Sequence, residues 1–395
     1  MQRPSYHIII IGAGLCGLGA AISIALEGHK VTVFESAPQL HQVGAGIQIT
    51  PNGVRLLRRW GVAEHLMPKA AVPETLSIMR YDGSKTLAHR RAYSEEIRSR
   101  YGEPIWCLHR IDLQKALAAR AEDLGVRLLF NSRVREVNFE VPRVSCENGH
   151  EEKGDLLIAA DGLWSSTRSA FYGKPVLPQP TGDLAYRIVL TADQVEDDPQ
   201  LREVITRPGI RIWMGPEAHA VAYSLLGGQM LNVVLLVPDD LPPDVAKAQG
   251  DVEEMAKLFK GWDPILTTFL SHVGKVDKWR LNYLQLDEPW SSKEGLFVMA
   301  GDACHPILPY MAQGANSALE DGASLGALLG KIRSKAELPA AIKLHESMRR
   351  DRILKIREET FKHQTEFHLP DGKLQAARDR QLGESFKHQN GEKTW

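Results

Sequence analysis

His7-Ile8-Ile9-Ile10-Ile11-Gly12-Ala13-Gly14-Leu15-Cys16-Gly17 is the stretch on which the fold turns. Four consecutive isoleucines are far short of the roughly 20 apolar residues a membrane span needs, and no basic flank or small-residue cleavage site marks a signal peptide. The run reads instead as a strand buried on both faces, the pattern of a parallel sheet. A helix of small and apolar residues follows (Ala20, Ala21, Ile22, Ile24, Ala25, Leu26), ending near Gly28, and a second strand at 30–34 delivers Glu35. Within this β-α-β unit the first glycine of Gly12-x-Gly14-x-x-Gly17 permits the tight turn. The second lets backbone approach a pyrophosphate, and the third lets helix pack on strand. The helix N-terminus adds free N–H groups and positive dipole. Glu35 stands where a carboxylate hydrogen-bonds a ribose hydroxyl and repels a 2′-phosphate, which disfavours NADP at this site.

Outward from this unit, the 395 residues imply two domains, or one domain with an elaborated second layer. With 43% hydrophobic and 25% charged residues, disorder, collagen and a membrane bundle are excluded. Lys and Arg number 48 against 49 Asp and Glu, so the charge carries no footprint for nucleic acid or an anionic membrane. Cys16, Cys107, Cys146 and Cys304 are scattered, with no CxxC, which reads as reduced thiols in a cytoplasmic setting.

A glycine-rich turn, Gly44-Ala45-Gly46, precedes a helix from Pro51 carrying Val54, Leu57 and Trp60 on one face. Residues 76–101 are irregular and charge-rich, and 89–100 reads as a solvated face. Alternation of helix and strand returns at 111–124, 127–130 and 156–159. Runs at 184–190, 210–214, 220–225 and 231–237, separated by Gly, Pro and Asp, predict an antiparallel sheet, with a helix at 252–260. A buried strand at 295–300 ends in Gly301-Asp302, and a long helix spans 313–330. The tail after Lys331 is polar and helix-prone and holds no readable motif.

The glycine fingerprint does not distinguish FAD from NAD. The distant Gly301-Asp302, followed by Gly314-Ala315-Asn316 opening a second helix, does. An extended FAD uses one β-α-β unit for its AMP half and a second segment for its ribityl chain and flavin, where a helix N-terminus stabilises negative charge on the reduced ring.

With these motifs in order, the chain resembles the class A flavoprotein monooxygenases, the para-hydroxybenzoate hydroxylase family, and within it the salicylate hydroxylase-like branch. The matches are Gly12–17, the run from Asp155 through Asp161-Gly162 to Arg168, and Gly301-Asp302 through Pro306 to Asp321. They span about residues 5–330. The resemblance implies an α/β + β fold: a Rossmann-like FAD-binding domain (1–75, 102–177, 285–335) interleaved with an antiparallel-sheet substrate domain (76–101, 178–284), then a C-terminal helical segment (336–395). It implies bound FAD, NADH or NADPH as transient reductant, and dioxygen as co-substrate. One oxygen atom would pass from a flavin C4a-hydroperoxide to an aromatic or other electron-rich small molecule. Glu35 resembles the adenosine-ribose acid and Arg110 the arginine contacting the flavin nucleotide. Asp161 and Gly162 resemble the pair between FAD and nicotinamide, Asp302 the ribityl-binding aspartate, and Gly314, Ala315 and Asn316 the backbone clamp on the flavin's pyrimidine end.

Four residues are candidates for substrate contact. Gln48 lies in a segment that in this branch borders the flavin ring. Arg187, in Ala185-Tyr186-Arg187, matches a strand facing the flavin, where a cation binds a phenolate or carboxylate or donates to the hydroperoxide. His219 and Tyr223 sit at alternate positions of one strand and share a face, so the pair can orient or deprotonate a phenol. Each has a blander reading: Tyr223 as core, His219 as a turn residue, Arg187 as an ion-pair partner, Asp161 as a helix cap. Trp213, Trp279 and Trp290 read as packing, and Cys304-His305 lacks the second pair a metal site needs. A dehydrogenase or reductase on the same fold, without oxygen insertion, is the alternative function; a flavin-bound sensor would have no use for Asp161-Gly162.

Overall fold

The computed structural model describes residues 4–40, 46–285 and 287–388; Gly44 and Ala45 of the predicted turn lie outside them. Strand His7–Ile11 is the middle of a five-stranded parallel sheet ordered Phe297–Met299, Leu156–Ala159, His7–Ile11, Lys30–Phe34, Arg127–Leu129. Ile8 and Ile10 enter a cluster with Leu18 and Ile22, while Ile9 and Ile11 enter another with Leu157, Phe297 and Met299. Both faces are covered, and each such isoleucine contributes about 1.5–3 kcal/mol by leaving water.

Helices Leu15–Leu26 and Gly314–Leu329 cross in backbone contact. A Cβ at Gly322 would stand 2.5 Å from Ala20 N, and one at Gly326 would stand 2.1 Å from Ser23 Oγ. The small residues of both helices are therefore what permits the crossing. It brings Gly301 against Cys16, so that two motifs nearly 300 residues apart share one site.

The second sheet has eight strands in the order Lys247–Gly250, Val276–Tyr283, Gln179–Thr191, Met230–Pro238, Ala218–Leu225, Gly209–Gly215, Thr75–Arg80, Thr86–Arg90. It is mixed rather than wholly antiparallel: Gly209–Gly215 and Thr75–Arg80 run parallel. Thr75–Arg80 comes from the earlier excursion, not from a hairpin with its neighbour, so the antiparallel rule for adjacent hairpin strands does not reach it. The excursion itself is two strands and helix Tyr93–Tyr101, regular structure that its charge density concealed. Along Gln179–Thr191, Leu184, Tyr186, Ile188 and Leu190 pack on helices Pro199–Thr206, Val252–Leu258 and Pro264–Ser271. Ala185 and Arg187 face the opposite way, into a cavity.

The tail forms helices Leu338–Phe367 and Lys373–His388. A buried charge cluster ties the first of these to helix Gly314–Leu329: Asp321 accepts from Arg349 Nε at 2.5 Å and Gly301 N–H at 2.8 Å, and meets His305 Nε2 at 2.6 Å. Burial would raise the Asp321 carboxyl, but His305 and Arg349 overcome it and hold it well below the usual range. No helix among the described residues is long and apolar enough to cross a membrane.

Candidate active site

At the nucleotide end, Gly12 has φ +103°, and a Cβ there would lie 2.4 Å from Ala160 O. One at Gly17 would lie 2.0 Å from Gly12 O, so these two glycines are required by the protein's own packing. Gly14 differs: a Cβ there meets nothing within 4 Å. It lines an open space, as expected of the position where a ligand's backbone approaches. Glu35 accepts from Ala13 N–H at 2.9 Å and Ala37 N–H at 2.8 Å, which fixes its carboxylate over the turn with lone pairs to spare for a ribose hydroxyl.

A cavity of about 1300 Å³ runs from Gly14 to the face of the eight-stranded sheet. Asp302 and Arg110 stand on its wall, and no protein partner among the described residues hydrogen-bonds either side chain. Burial raises the Asp302 carboxyl, opposed by His305 and Arg110. Gly314 and Ala315 open helix Gly314–Leu329 onto the same space, presenting first-turn N–H groups that no helical carbonyl can satisfy. Gln48 also lines it, while its Nε2 is buried on the side of Cys107, its neighbour on the paired strand. An acid, a cation and a helix N-terminus make a donor and acceptor set that fits the polar edge of FAD. Asn316 does not reach the cavity. It is buried, accepting from Thr50 N–H at 3.0 Å and donating to Gln48 O at 3.1 Å, so it braces the Gln48 strand instead.

Asp161 accepts from Ser165 Oγ at 2.6 Å and Thr167 N–H at 3.2 Å. Ser165 caps helix Ser166–Tyr172, and Asp161 buttresses that cap. Beside it Gly162 lines the cavity, and Arg168 donates to Ala303 O at 2.8 Å, locking the Asp161 turn to the Gly301-Asp302 turn.

On the sheet face, Arg187, His219 and Tyr223 all line the cavity among Val221, Val234 and Leu236. The Arg187 guanidinium lies 4.9 Å from the centre of the Trp279 ring, giving that tryptophan more than a packing role. Burial, then the charge of Arg110, lowers the Arg187 pKa, yet a guanidinium stays cationic at any working pH. Tyr223 is pushed up by burial and packs against Gly46, where a Cβ would lie 2.6 Å from its ring. His219 is in strand Ala218–Leu225, not a turn; burial and then His368 hold it well below the usual histidine value, so it is neutral. His305 is committed to Asp321, and no cluster fit for a metal occurs among the described residues.

Some of this wall was not foreseen. Tyr93 and Ile97 line the cavity from within the stretch read as a solvated face, and Tyr101 from just after it; their four-residue spacing was the available signal. The tail supplies Phe367, Arg378 and Phe386 to the lining, and His368 beside His219.

The model of the FAD binding domain family matches residues 5–359. The chain belongs to this family of FAD-dependent monooxygenases. The monooxygenase is 48% identical to the FAD-dependent monooxygenase OpS4 of Beauveria bassiana (strain ARSEF 2860) over 95% of this chain and 89% of that protein. It is 31% identical to a 3-hydroxybenzoate 6-hydroxylase of Polaromonas naphthalenivorans (strain CJ2), over 88% and 85%. A solved salicylate hydroxylase substrate complex shares its fold with a TM-score of 0.79, at 20% identity over 97% of this chain and 96% of the other. The relatives are named for oxygen insertion, so the dehydrogenase or reductase alternative is not favoured. The enzyme uses FAD, dioxygen and NAD(P)H.

Proposed function

We propose that this monooxygenase hydroxylates a small phenolic or similarly electron-rich aromatic compound, with an acidic group or phenolate held by Arg187. One observation carries the reading: Arg187, His219 and Tyr223 share a single apolar enclosure with Asp302 and the start of helix Gly314–Leu329. The names of the hydroxybenzoate and salicylate hydroxylases support the same substrate class.

When bound, FAD supplies the redox chemistry, taking electrons from nicotinamide and making dioxygen reactive toward an electron-rich carbon. Gly12, Gly14 and Gly17 would hold its pyrophosphate, Glu35 its adenosine ribose, Arg110 the nucleotide and Asp302 the ribityl chain. Gly314 and Ala315 would offer N–H groups to the pyrimidine edge. Asn316 would contribute by bracing the strand of Gln48, which lines the cavity where ring and substrate would meet. Asp161 and Gly162 would border the nicotinamide approach. Arg187 orients the substrate through charge-assisted hydrogen bonds, His219 takes its hydroxyl proton, Tyr223 fixes its plane, and the apolar lining excludes water. The FAD-binding part is assigned to 1–75, 102–177 and 285–335, the substrate part to 76–101 and 178–284, and the closing helices to 336–395. Four buried free cysteines are consistent with a cytoplasmic enzyme.

A panel containing salicylate, 3-hydroxybenzoate and larger phenols, scored for stimulated NAD(P)H oxidation with hydrogen peroxide measured alongside, tests the reading. At least one phenol is expected to stimulate oxidation without matching peroxide. Stimulation by none, or only by compounds lacking a phenol, would overturn it.

A further inference from the structure

The end of helix Leu338–Phe367 completes a chain of buried groups behind His219. His219 Nδ1 stands 2.7 Å from His368 Nε2. The other nitrogen of His368, Nδ1, faces Asp183 Oδ2 at 3.5 Å. That oxygen is fixed in turn by the Tyr310 hydroxyl and by the Gln364 amide at 2.8 Å, both donating. The His368 carbonyl accepts from Glu217 N–H at 3.0 Å, pinning the helix end to the turn before strand Ala218–Leu225. His219 and Asp183 are buried, and no protein group among the described residues hydrogen-bonds His219 Nε2.

This order of groups dictates the tautomers. A carboxylate facing His368 Nδ1 favours the proton on that nitrogen, which leaves His368 Nε2 an acceptor. The short bond to His219 then requires His219 Nδ1 to donate, and its Nε2 is left with a bare lone pair beside the cavity.

We propose that Asp183 and His368 are positioning residues that fix this tautomer of His219 and take over its charge when His219 Nε2 accepts the hydroxyl proton of a phenolic substrate. The inference rests on the phenol reading above. The substrate O–H bond breaks and an N–H bond forms at His219 Nε2, while the Nδ1 proton passes to His368 Nε2. The positive charge rests on His368 beside the Asp183 carboxylate, and the negative charge on the phenolate oxygen. No electrons move, and the reverse path returns the proton to the product.

A buried neutral histidine is by itself a poor base, because burial disfavours its cation. Burial lowers His368 too, but Asp183 opposes that shift, so the charge is better placed one ring further on. The other titratable and charged groups around the pair are Tyr310, Tyr223 on the same strand, Arg187 on Gln179–Thr191, and His363 and Glu366 on the long helix. Tyr310 already donates to Asp183, and Arg187, a cation, lowers a phenol's pKa whether or not the relay works.

The test is a pH titration of 4-nitrophenol bound to the FAD holoenzyme, since its phenolate absorbs visible light and its phenol does not. It compares wild type with His219→Gln, His368→Gln and Asp183→Asn, with FAD content and melting temperature measured for each. All three variants are expected to raise the bound phenol's apparent pKa by about one unit, a tenfold loss of phenolate at fixed pH. A shift in His219→Gln without one in His368→Gln and Asp183→Asn overturns the relay and leaves His219 as base. No shift in any variant that binds the nitrophenol overturns the relay and His219 as base while leaving the phenol held by Arg187; no binding of the nitrophenol to the wild type overturns the phenol reading and the relay with it. Should His368→Gln lose FAD, Asp183→Asn decides alone, because the asparagine oxygen can still accept from Tyr310 and Gln364.

Discussion

At Gly12–Gly17 the protein offers a ligand its backbone, while at the far end of the same cavity it offers side chains gathered from separate strands and helices. The first plan needs a few small residues at fixed spacing, and most of it lies within a local β-α-β unit, with Ala160 pressing on Gly12 from the neighbouring strand. The second needs Arg187 from one strand, His219 and Tyr223 from another, and His368 from the tail. A backbone site is specified by what must be absent, and a side-chain site by what must be brought together.

The sharpest way to break this comparison is inside the glycine turn itself. Gly17→Ala drives a methyl into Gly12 O, a backbone atom that cannot step aside. Such overpacking costs about 1–3 kcal/mol where neighbours yield, and more against backbone. Loss of folded, yellow protein is expected. Gly14→Ala meets no protein atom, so it should fold with a near-wild-type melting temperature and lose FAD affinity alone. Absorbance of purified protein and FAD titration distinguish the two; equal loss of folding in both would contradict a ligand-facing Gly14.

At the other end, Arg187→Ala should keep FAD and stability while losing about 1.5–3 kcal/mol of charge-assisted contact, roughly 10- to 150-fold in rate or affinity. Arg187→Lys should rescue only partly, since an ammonium lacks the planar fork and stacks less well on Trp279. Rapid-mixing kinetics that follow flavin reduction and reoxidation separately, with peroxide assayed, check this. A variant that sheds FAD yet remains coupled would make Arg187 structural.

The smallest effect concerns pH and the charge cluster behind the flavin end. His345 is lowered to about 4 by burial, with Asp321 and Glu346 opposing and Arg349 and His305 reinforcing. Between about 6.5 and 4 the unfolded chain therefore binds a proton that the native state does not, and stability falls as pH drops through that window. Asp321, held low, acts in the same direction only below the ordinary carboxylate range. His345→Gln should thus lessen the fall in melting temperature between pH 7 and pH 5, removing about 1–2 kcal/mol of acid sensitivity. An unchanged fall would place that sensitivity on other groups, His219 and His368 among them.

The same contrast explains what the sequence disclosed. Gly12–Gly17, Glu35 and Gly301-Asp302 were legible because strand period, turn glycine and helix start are local facts, and Ile8–Ile11 could be nothing but a doubly covered strand. Arg187, His219 and Tyr223 were legible as strand alternation plus family resemblance. Their partners were not. Asp183 and His368 carry no mutual spacing, and only the docking of the long helix through Arg349 and Asp321 brings them together. Helix Tyr93–Tyr101 was masked because its charged positions outnumber the three that face inward. The motif places the backbone of Asn316, but not its side chain, whose turn back to Gln48 depends on a strand more than 260 residues away.

The central claim is that one cavity joins an FAD site to a phenol site for oxygen insertion, and turnover under isotopically labelled dioxygen tests it most directly. With a phenol that stimulates NAD(P)H oxidation, mass spectrometry should find one labelled oxygen atom in the product for each NAD(P)H consumed. Product that forms without label, or oxidation of the substrate with no oxygen gained, would contradict the account and return the chain to dehydrogenase chemistry.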